Sequence, residues 1–460
     1  METAHERFVR VFPDLACLIF ETSAFPPGCV NFWLWDRDTH LDDECQDLRL
    51  TADWEGSWIR TYEMRIKLIS ALRLTCRHIR LAVDPFFIAQ LWFTYPTQIH
   101  AFLKAFPASH PLLATARHLR VDIPLAINLG WREIPYTANG WPHDRTYDLY
   151  WPPPPDSRCA VYGILECQTW YRRLLGRLTH VISFDNGLSN AAGVSAHPPP
   201  PNYLRTLLVG NVENLTSLLI KSPIFNMDLV SALHQLHQLE DLVIHFMNQR
   251  TPACIIPNPL PTITFRSLRR LHVAGHTHIE PLLFVRWWFL PKLGLFSCWS
   301  SSSPDPFLAQ ALQKFGIHLT RLILRGKYTL QASLPLSSLC PCLEVLEFVF
   351  SEFTPIILHH DNVHTITVHH CDLLPLPSPA MDRFRSQMDK LASTHNKWPS
   401  LHRIVDTSWP ARAFSHDPAG YMTWWETKER LAGLSCCGFM VLDTYGGEMR
   451  GDMCSEGIEG

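Results

Sequence analysis

A six-residue phrase, apolar-x-x-apolar-x-apolar, returns through the second half of this chain and limits its fold more than any other feature. It reads Leu215/Leu218/Ile220, Leu239/Leu242/Ile244, Leu268/Leu271/Val273, Leu293/Phe296/Cys298, Leu319/Leu322/Leu324, Leu343/Leu346/Phe348 and Val363/Ile366/Val368. Successive starts lie 24, 29, 25, 26, 24 and 20 residues apart. The x-apolar-x-apolar part has the period of two that turns one face of a short strand toward a core. The leading apolar residue enters from the preceding turn and joins the same core. A unit of this length cannot bury its own apolar face, so it is stable only when stacked on its neighbours.

The segments between phrases carry helical signals. Asp305-Pro306 reads as a helix start, followed by Phe307, Leu308, Ala311, Leu312 and Phe315 on one face and closed by Gly316. Pro281 precedes Leu282, Val285, Trp288 and Phe289, and the run from Pro281 to Phe296 reads as a buried helix leading into a strand. Leu229, Val230, Leu233 and Leu236 recur at helical spacing, as do Met381, Phe384, Met388 and Leu391. Strand and helix alternating at one period demand a parallel sheet with right-handed crossovers. The expected fold class is therefore α/β: a curved parallel sheet on the concave side, with helices outside. Weaker copies extend it at Leu178/Val181 and Leu401/Ile404. An ordinary α/β domain is the rival reading, disfavoured by seven copies in register. No asparagine position recurs from copy to copy.

Composition narrows the function classes. The 460 residues are 47 % hydrophobic and 18 % charged, with a net charge of −3. That excludes a disordered chain and gives no basic footprint for nucleic acid or an anionic membrane. The longest apolar stretch contains Arg286 and Lys292 and is too short for a bilayer. The opening residues lack the pattern of a secretory signal, so the cytosol or nucleus is the expected compartment. The 14 cysteines form no C-x-x-C pair and read as reduced core thiols, Cys76 and Cys298 among them. The Asn214-Leu215-Thr216 sequon falls where a strand opens and reads as accidental.

The regions before the phrases differ in character. Residues 131–160 and 187–203 read as loops, stiffened by Pro152–Pro155 and Pro198–Pro201. Near the start stand Phe12-Pro13-Asp14-Leu15, then Leu18, Ile19 and Phe20. Leu68, Leu72, Leu74, Cys76, Arg77, Ile79, Arg80 and Ala82 follow, then Pro85 and Leu91-Trp92. The spacing predicts an amphipathic helix over 66–82, ended by Pro85, with Leu91-Trp92 folding back as an apolar plug. Between the two halves lies an acidic stretch with Asp36, Asp38, Asp42, Asp43, Glu44 and Asp47, and with Trp33, Trp35, Trp54 and Trp58.

The two halves resemble an F-box, and the layout as a whole resembles fungal F-box and leucine-rich-repeat proteins. The organisation this implies is an F-box-like helical domain at 1–95 with an insert at about 21–65, then a connector with irregular first repeats at 96–203. The repeat array follows at 204–410 and a C-terminal cap and tail at 411–460. The resemblance implies a non-catalytic subunit of a cullin ubiquitin ligase that binds a Skp-type adaptor. Its adaptor contacts would be Pro13, Leu15, Leu18, Ile19, Phe20, Leu72, Leu74, Cys76, Ile79, Leu91 and Trp92. A protein substrate would lie on variable strand positions: Arg269, His272, Arg321, Ile323, Glu344 and Glu347. A scaffold without a ligase role is the rival.

Catalytic signatures are missing. There is no glycine-rich phosphate loop, nucleophile elbow or H-E-x-x-H helix, and no cofactor is expected. His359, His360, Asp361, His364, His369, His370 and Cys371 cluster in sequence, which keeps a metal protein or enzyme as a further alternative. Alternation along a strand sends neighbouring side chains to opposite faces, so a polar strand-and-turn surface is the expected role and no metal ligand is assigned.

Overall fold

The structure is a computed structural model. It describes residues 69–75, 77–93, 96–121, 164–185, 201–221, 227–246, 262–275, 282–305, 307–328, 335–349, 357, 359–369, 379–406 and 433–442. Two compact units divide the chain: residues 1–244 with 249–258, and residues 245–248 with 259–460.

In the first unit, strands β1 (Gln90–Phe93), β2 (His118–Val121), β3 (Ser183–Asp185), β4 (Ser217–Lys221) and β5 (Asp241–Phe246) follow one another in chain order. Leu91 lies opposite Leu119, Leu119 opposite Phe184, and Phe184 opposite Leu218, all in parallel register. Helices α1 (Arg77–Ala89), α2 (Pro96–Ala105), α3 (Ile164–Arg177), α4 (Pro201–Gly210) and α5 (Met227–His234) lie between or ahead of the strands. From α2 to α5, each packs on the next. A backbone carbonyl ahead of each strand receives the amides of the next turn. The Arg117 amide donates to the Ala89 carbonyl at 3.0 Å, Ile182 to Arg117 at 2.8 Å, Thr216 to Ile182 at 2.9 Å and Glu240 to Thr216 at 2.8 Å.

The second unit repeats this plan. Strands β6 (Arg270–Gly275), β7 (Leu295–Asp305), β8 (Arg321–Tyr328), β9 (Val345–Val349), β10 (Thr365–His369), β11 (Arg403–Asp406) and β12 (Met440–Leu442) are parallel and in chain order. A continuous row runs through Leu271, Phe296, Leu322, Leu346, Ile366, Ile404 and Val441. The accompanying helices are α6 (Leu282–Val285), α7 (Leu308–Phe315), α8 (Leu336–Leu339) and α9 (Pro379–Ser393). Within the phrases, the apolar positions that the structure describes are buried, from Leu215 to Val368. The weaker copies join them: Leu178 and Val181 precede β3, Leu401 precedes β11 and Ile404 lies within it. Mixed α/β repeats on a parallel sheet are thus the observed class.

Three buried amide or imidazole side chains stitch consecutive turns where no asparagine recurs. Asn211 Oδ1 accepts from the Val181 amide at 2.7 Å, while its Nδ2 donates to the carbonyls of Leu178 and Leu207. The Gln387 amide bonds both the N–H and the C=O of Ile357. His360 Nδ1 accepts from the amides of Asn362 and Val363, and its Nε2 donates to the Cys340 carbonyl at 3.0 Å. Each group would be costly if left unmade in a dry core.

Several local expectations need correcting. Asp305 does not cap a helix: β7 runs through it, and α7 starts at Leu308 with Phe307 at the cap position and no side-chain cap bond. The apolar face of α7 is nonetheless the expected one, with Leu308, Ala311, Leu312 and Phe315 buried. Pro281–Phe296 holds one helical turn only, and its Phe289 is exposed and bridges Thr264. Pro85 sits inside α1 and does not end it. Burial of Ala82, Val83 and Phe86 against Ile69 offsets the lost backbone bond, which costs about 3 kcal/mol. Leu91-Trp92 forms strand β1, so the repeats begin near Ile88, ahead of the recurring phrases.

Gly316 shows how tightly the second unit is packed. A Cβ there would stand 2.4 Å from the Leu339 carbonyl oxygen and 2.8 Å from Cys340 Sγ. Its φ of −65 is ordinary, so the constraint is space alone. Gly316→Ala is expected to destabilise the protein by about 1–3 kcal/mol, read as a lower midpoint in urea unfolding. Gly433→Ala, which meets nothing within 4 Å, is the control; equal midpoints would refute the packing argument.

Candidate interaction surface

Parallel strands in register sort the variable positions into rows. The leading row, just ahead of the strands, is Arg269, Gly294, Thr320, Glu344, His364 and His402. Each amide from Gly294 onward donates to the carbonyl of the residue before it in the row, at 2.8–3.2 Å. The next row is Arg270, Leu295, Arg321, Val345, Thr365, Arg403 and Met440, and the one after it His272, Ser297, Ile323, Glu347, Thr367, Val405 and Leu442.

Accessibility divides these rows. Arg269 and Glu344 are exposed in the leading row, as are Thr320 and His402. The Arg321 side chain is 45 % exposed. His272, Ser297, Ile323 and Glu347 are buried. Sequence reasoning expects at least one of the two strand positions between apolar residues to face outward. In β6 to β9 the first is exposed at Arg321 and half-buried at Arg270, Leu295 and Val345, while the second lies under cover. Of the six residues expected to meet a protein partner, Arg269, Arg321 and Glu344 are therefore accessible, while His272, Ile323 and Glu347 are not.

The buried row carries charge. Glu347 Oε1 pairs with Arg321 through Nε and Nη2. Burial first, and Arg270 second, push the His272 imidazole down to about 3, so it is neutral across the physiological range. At the C-terminal end of α8, burial pushes the Cys340 thiol up to about 12 and keeps it protonated. In the first unit Arg120 lies over the Trp92 ring at 4.9 Å, with Asp185 3.7 Å away.

Helical residues 69–75 and α1 present two different faces. Ile69, Ala82, Val83 and Phe86 form a buried cluster, with Leu72, Ile79 and Phe87 packed against it. Asp84 pairs with Arg73 at 2.5 Å, and Arg73 lies over Phe87. Away from this cluster Leu74, in residues 69–75, is 87 % exposed and Leu81, in α1, is 52 % exposed. Of the residues assigned to an adaptor, Leu74 is open, Leu72 and Ile79 face inward, Leu91 is buried in β1 and Trp92 is half-buried. Pro13, Leu15, Leu18, Ile19, Phe20 and Cys76, with the acidic insert, lie outside the described residues.

The histidine cluster disperses in space. His360 is buried as a turn stitch, His359 bonds Ser337 at 2.8 Å and His364 stands in the leading row. His370 and Cys371 lie outside the described residues. Among the described residues no group of three or more His, Cys, Asp or Glu side chains is placed to hold a metal ion. His364 meets instead a residue that the sequence cluster omits: its ring lies 5.7 Å from that of His402, 38 positions away. Only the in-register pairing of β10 with β11 reveals that neighbour. No described helix is long and apolar enough to cross a membrane.

Comparison with known proteins adds little. No family model matches the chain, and no curated protein does. Among solved structures, the leucine-rich repeat-containing protein LegL7 from Legionella pneumophila is similar at 14 % identity and a TM-score of 0.32. The match covers 59 % of this chain and 86 % of that one.

Proposed function

We propose that this chain is a non-catalytic protein-interaction subunit whose repeats hold a protein partner along the leading row and the exposed part of the next. The reading rests on a rigid, register-locked platform bearing mixed charge at Arg269, Arg321 and Glu344. Such a surface suits a polar protein face better than a small apolar ligand. Specificity would arise from charge complementarity along the row.

The finer proposal is a substrate-recognition subunit of an SCF-type cullin ligase, acting in the cytosol or nucleus. It would bind a Skp-type adaptor through the F-box-like segment and position the partner's lysines for transfer by other subunits. Leu74 and Leu81 carry this reading. Two exposed leucines, one on each of two helical segments that pack on each other, are a feature that an apolar partner would cover. Leu74→Asp is expected to weaken adaptor capture more than about tenfold while moving stability by no more than about 0.5 kcal/mol. Co-purification of wild type and variant with a Skp-type adaptor reads this directly. Undiminished capture by the variant, or none by wild type, would leave the scaffold without a ligase role. Leu91→Asp is unsuitable, because a buried charge in β1 would unfold the repeats.

A further inference from the structure

We infer that His364 and His402 form a two-histidine chelate for a divalent transition-metal ion of the imidazole-binding class, such as Zn(II), Ni(II) or Cu(II). The inference is independent of the protein-binding role. The two residues are consecutive members of the leading row, joined by a bond from the His402 amide to the His364 carbonyl at 3.2 Å. Their backbones are thereby fixed at the spacing of neighbouring strands, about 4.8 Å. The rings stand 5.7 Å apart, tilted by 32°. Two imidazoles sharing one ion at about 2.1 Å per nitrogen place their centroids roughly 5–6 Å apart, so little rearrangement is needed.

Hydrogen bonding prepares the donor atoms. His402 Nδ1 lies 3.0 Å from the Ser400 carbonyl. A carbonyl only accepts, so Nδ1 carries the proton and the lone pair is left on Nε2. His364 Nδ1 is 2.9 Å from Thr365 Oγ1, a hydroxyl able to accept in the same way. Outer hydrogen bonds from the non-ligating nitrogen are the usual support of a metal-binding imidazole. Glu344 adds negative charge, its Oε2 lying 3.9 Å from His364 Nε2. His402 is exposed and the His364 side chain is 40 % exposed, so the remaining coordination positions open to water. Two protein ligands make this a weak, open-sided site, unlike a closed structural centre.

Calorimetric titration of the full chain with ZnCl2 tests the inference, with Cu(II) electron paramagnetic resonance counting nitrogen donors. Wild type should bind one ion and show two imidazole nitrogens on copper. Either His402→Gln or His364→Gln should weaken zinc about a hundredfold, the loss expected when one of two linked ligands is removed, and leave one nitrogen. His359→Gln should change neither reading. The site is refuted if His402→Gln binds as wild type does, if copper shows no nitrogen pair, or if no stoichiometric ion binds. Both variants lie on the surface, and circular dichroism checks that they remain folded.

Discussion

Phe296→Ala is expected to destabilise the protein by about 3–5 kcal/mol, the range for emptying a large buried aromatic site. The ring is wholly buried, lies between Leu271 and Leu322 in the central row and meets Phe315 edge-on at 4.9 Å. Strand and outer helix are thus fastened through one residue pair, and the loss falls on both. In a stacked array each repeat draws stability from its neighbours, so the effect should spread to adjacent repeats. Urea unfolding gives the magnitude through its midpoint, and hydrogen exchange gives the spread through β6 and β8. Protection lost in β7 alone would contradict the nearest-neighbour picture. A midpoint matching wild type would mean that Phe296 is no part of the core.

Acid should loosen the same unit. His272 is neutral in the folded state down to about pH 3, whereas in the unfolded chain it titrates near 6.5. Between those values the unfolded state binds the extra proton, so stability falls as pH is lowered. The contribution is complete above about 6.5, and about 3 kcal/mol of it is gone by pH 4 at roughly 1.4 kcal/mol per unit. His360 acts in the same direction, since burial holds it below the ordinary histidine range. Protonating its Nδ1 would also expel two backbone donors. Midpoints measured from pH 7.5 to 4 for wild type and His272→Gln should converge toward low pH. Curves that stay parallel would mean that His272 is charged, or reached by water, in the native protein.

The recurring phrase was the legible part of this fold because it states two requirements at once: a strand period, and a third apolar residue at the turn. Leu239, Leu242 and Ile244 illustrate both, and all are buried. Ile88, Leu91 and Phe93 satisfy the same spacing and are buried too. In the sequence this single copy is masked by Pro85, which reads as a helix end, and by Leu91-Trp92, which reads as an apolar plug. Helix ends were harder still. Asp305-Pro306 has the chemistry of a helix start, yet in-register pairing extends β7 through Asp305. The surface was legible only by row. Alternation shows that Ile323 and Glu347 lie on the face opposite Leu322 and Leu346, but not that the chain buries that face as well. The proximity of His402 to His364 is a property of register, and no local spacing encodes it.

The bond that links each turn to the one before has a consequence for chain length. Leu218 and Leu242 are 24 residues apart, while Leu119 and Phe184, also neighbours in a sheet, are separated by 65. Closing the longer excursion costs only about 1 kcal/mol more, because loop entropy grows with the logarithm of length. Once the carbonyl of Arg117 has received the amide of Ile182, the strand register is set whatever the length of chain between them. The crossover between β2 and β3 can therefore lengthen without shifting the strands on either side, provided that α3, which packs on α2 and α4 and buries Leu174 and Leu175, is kept.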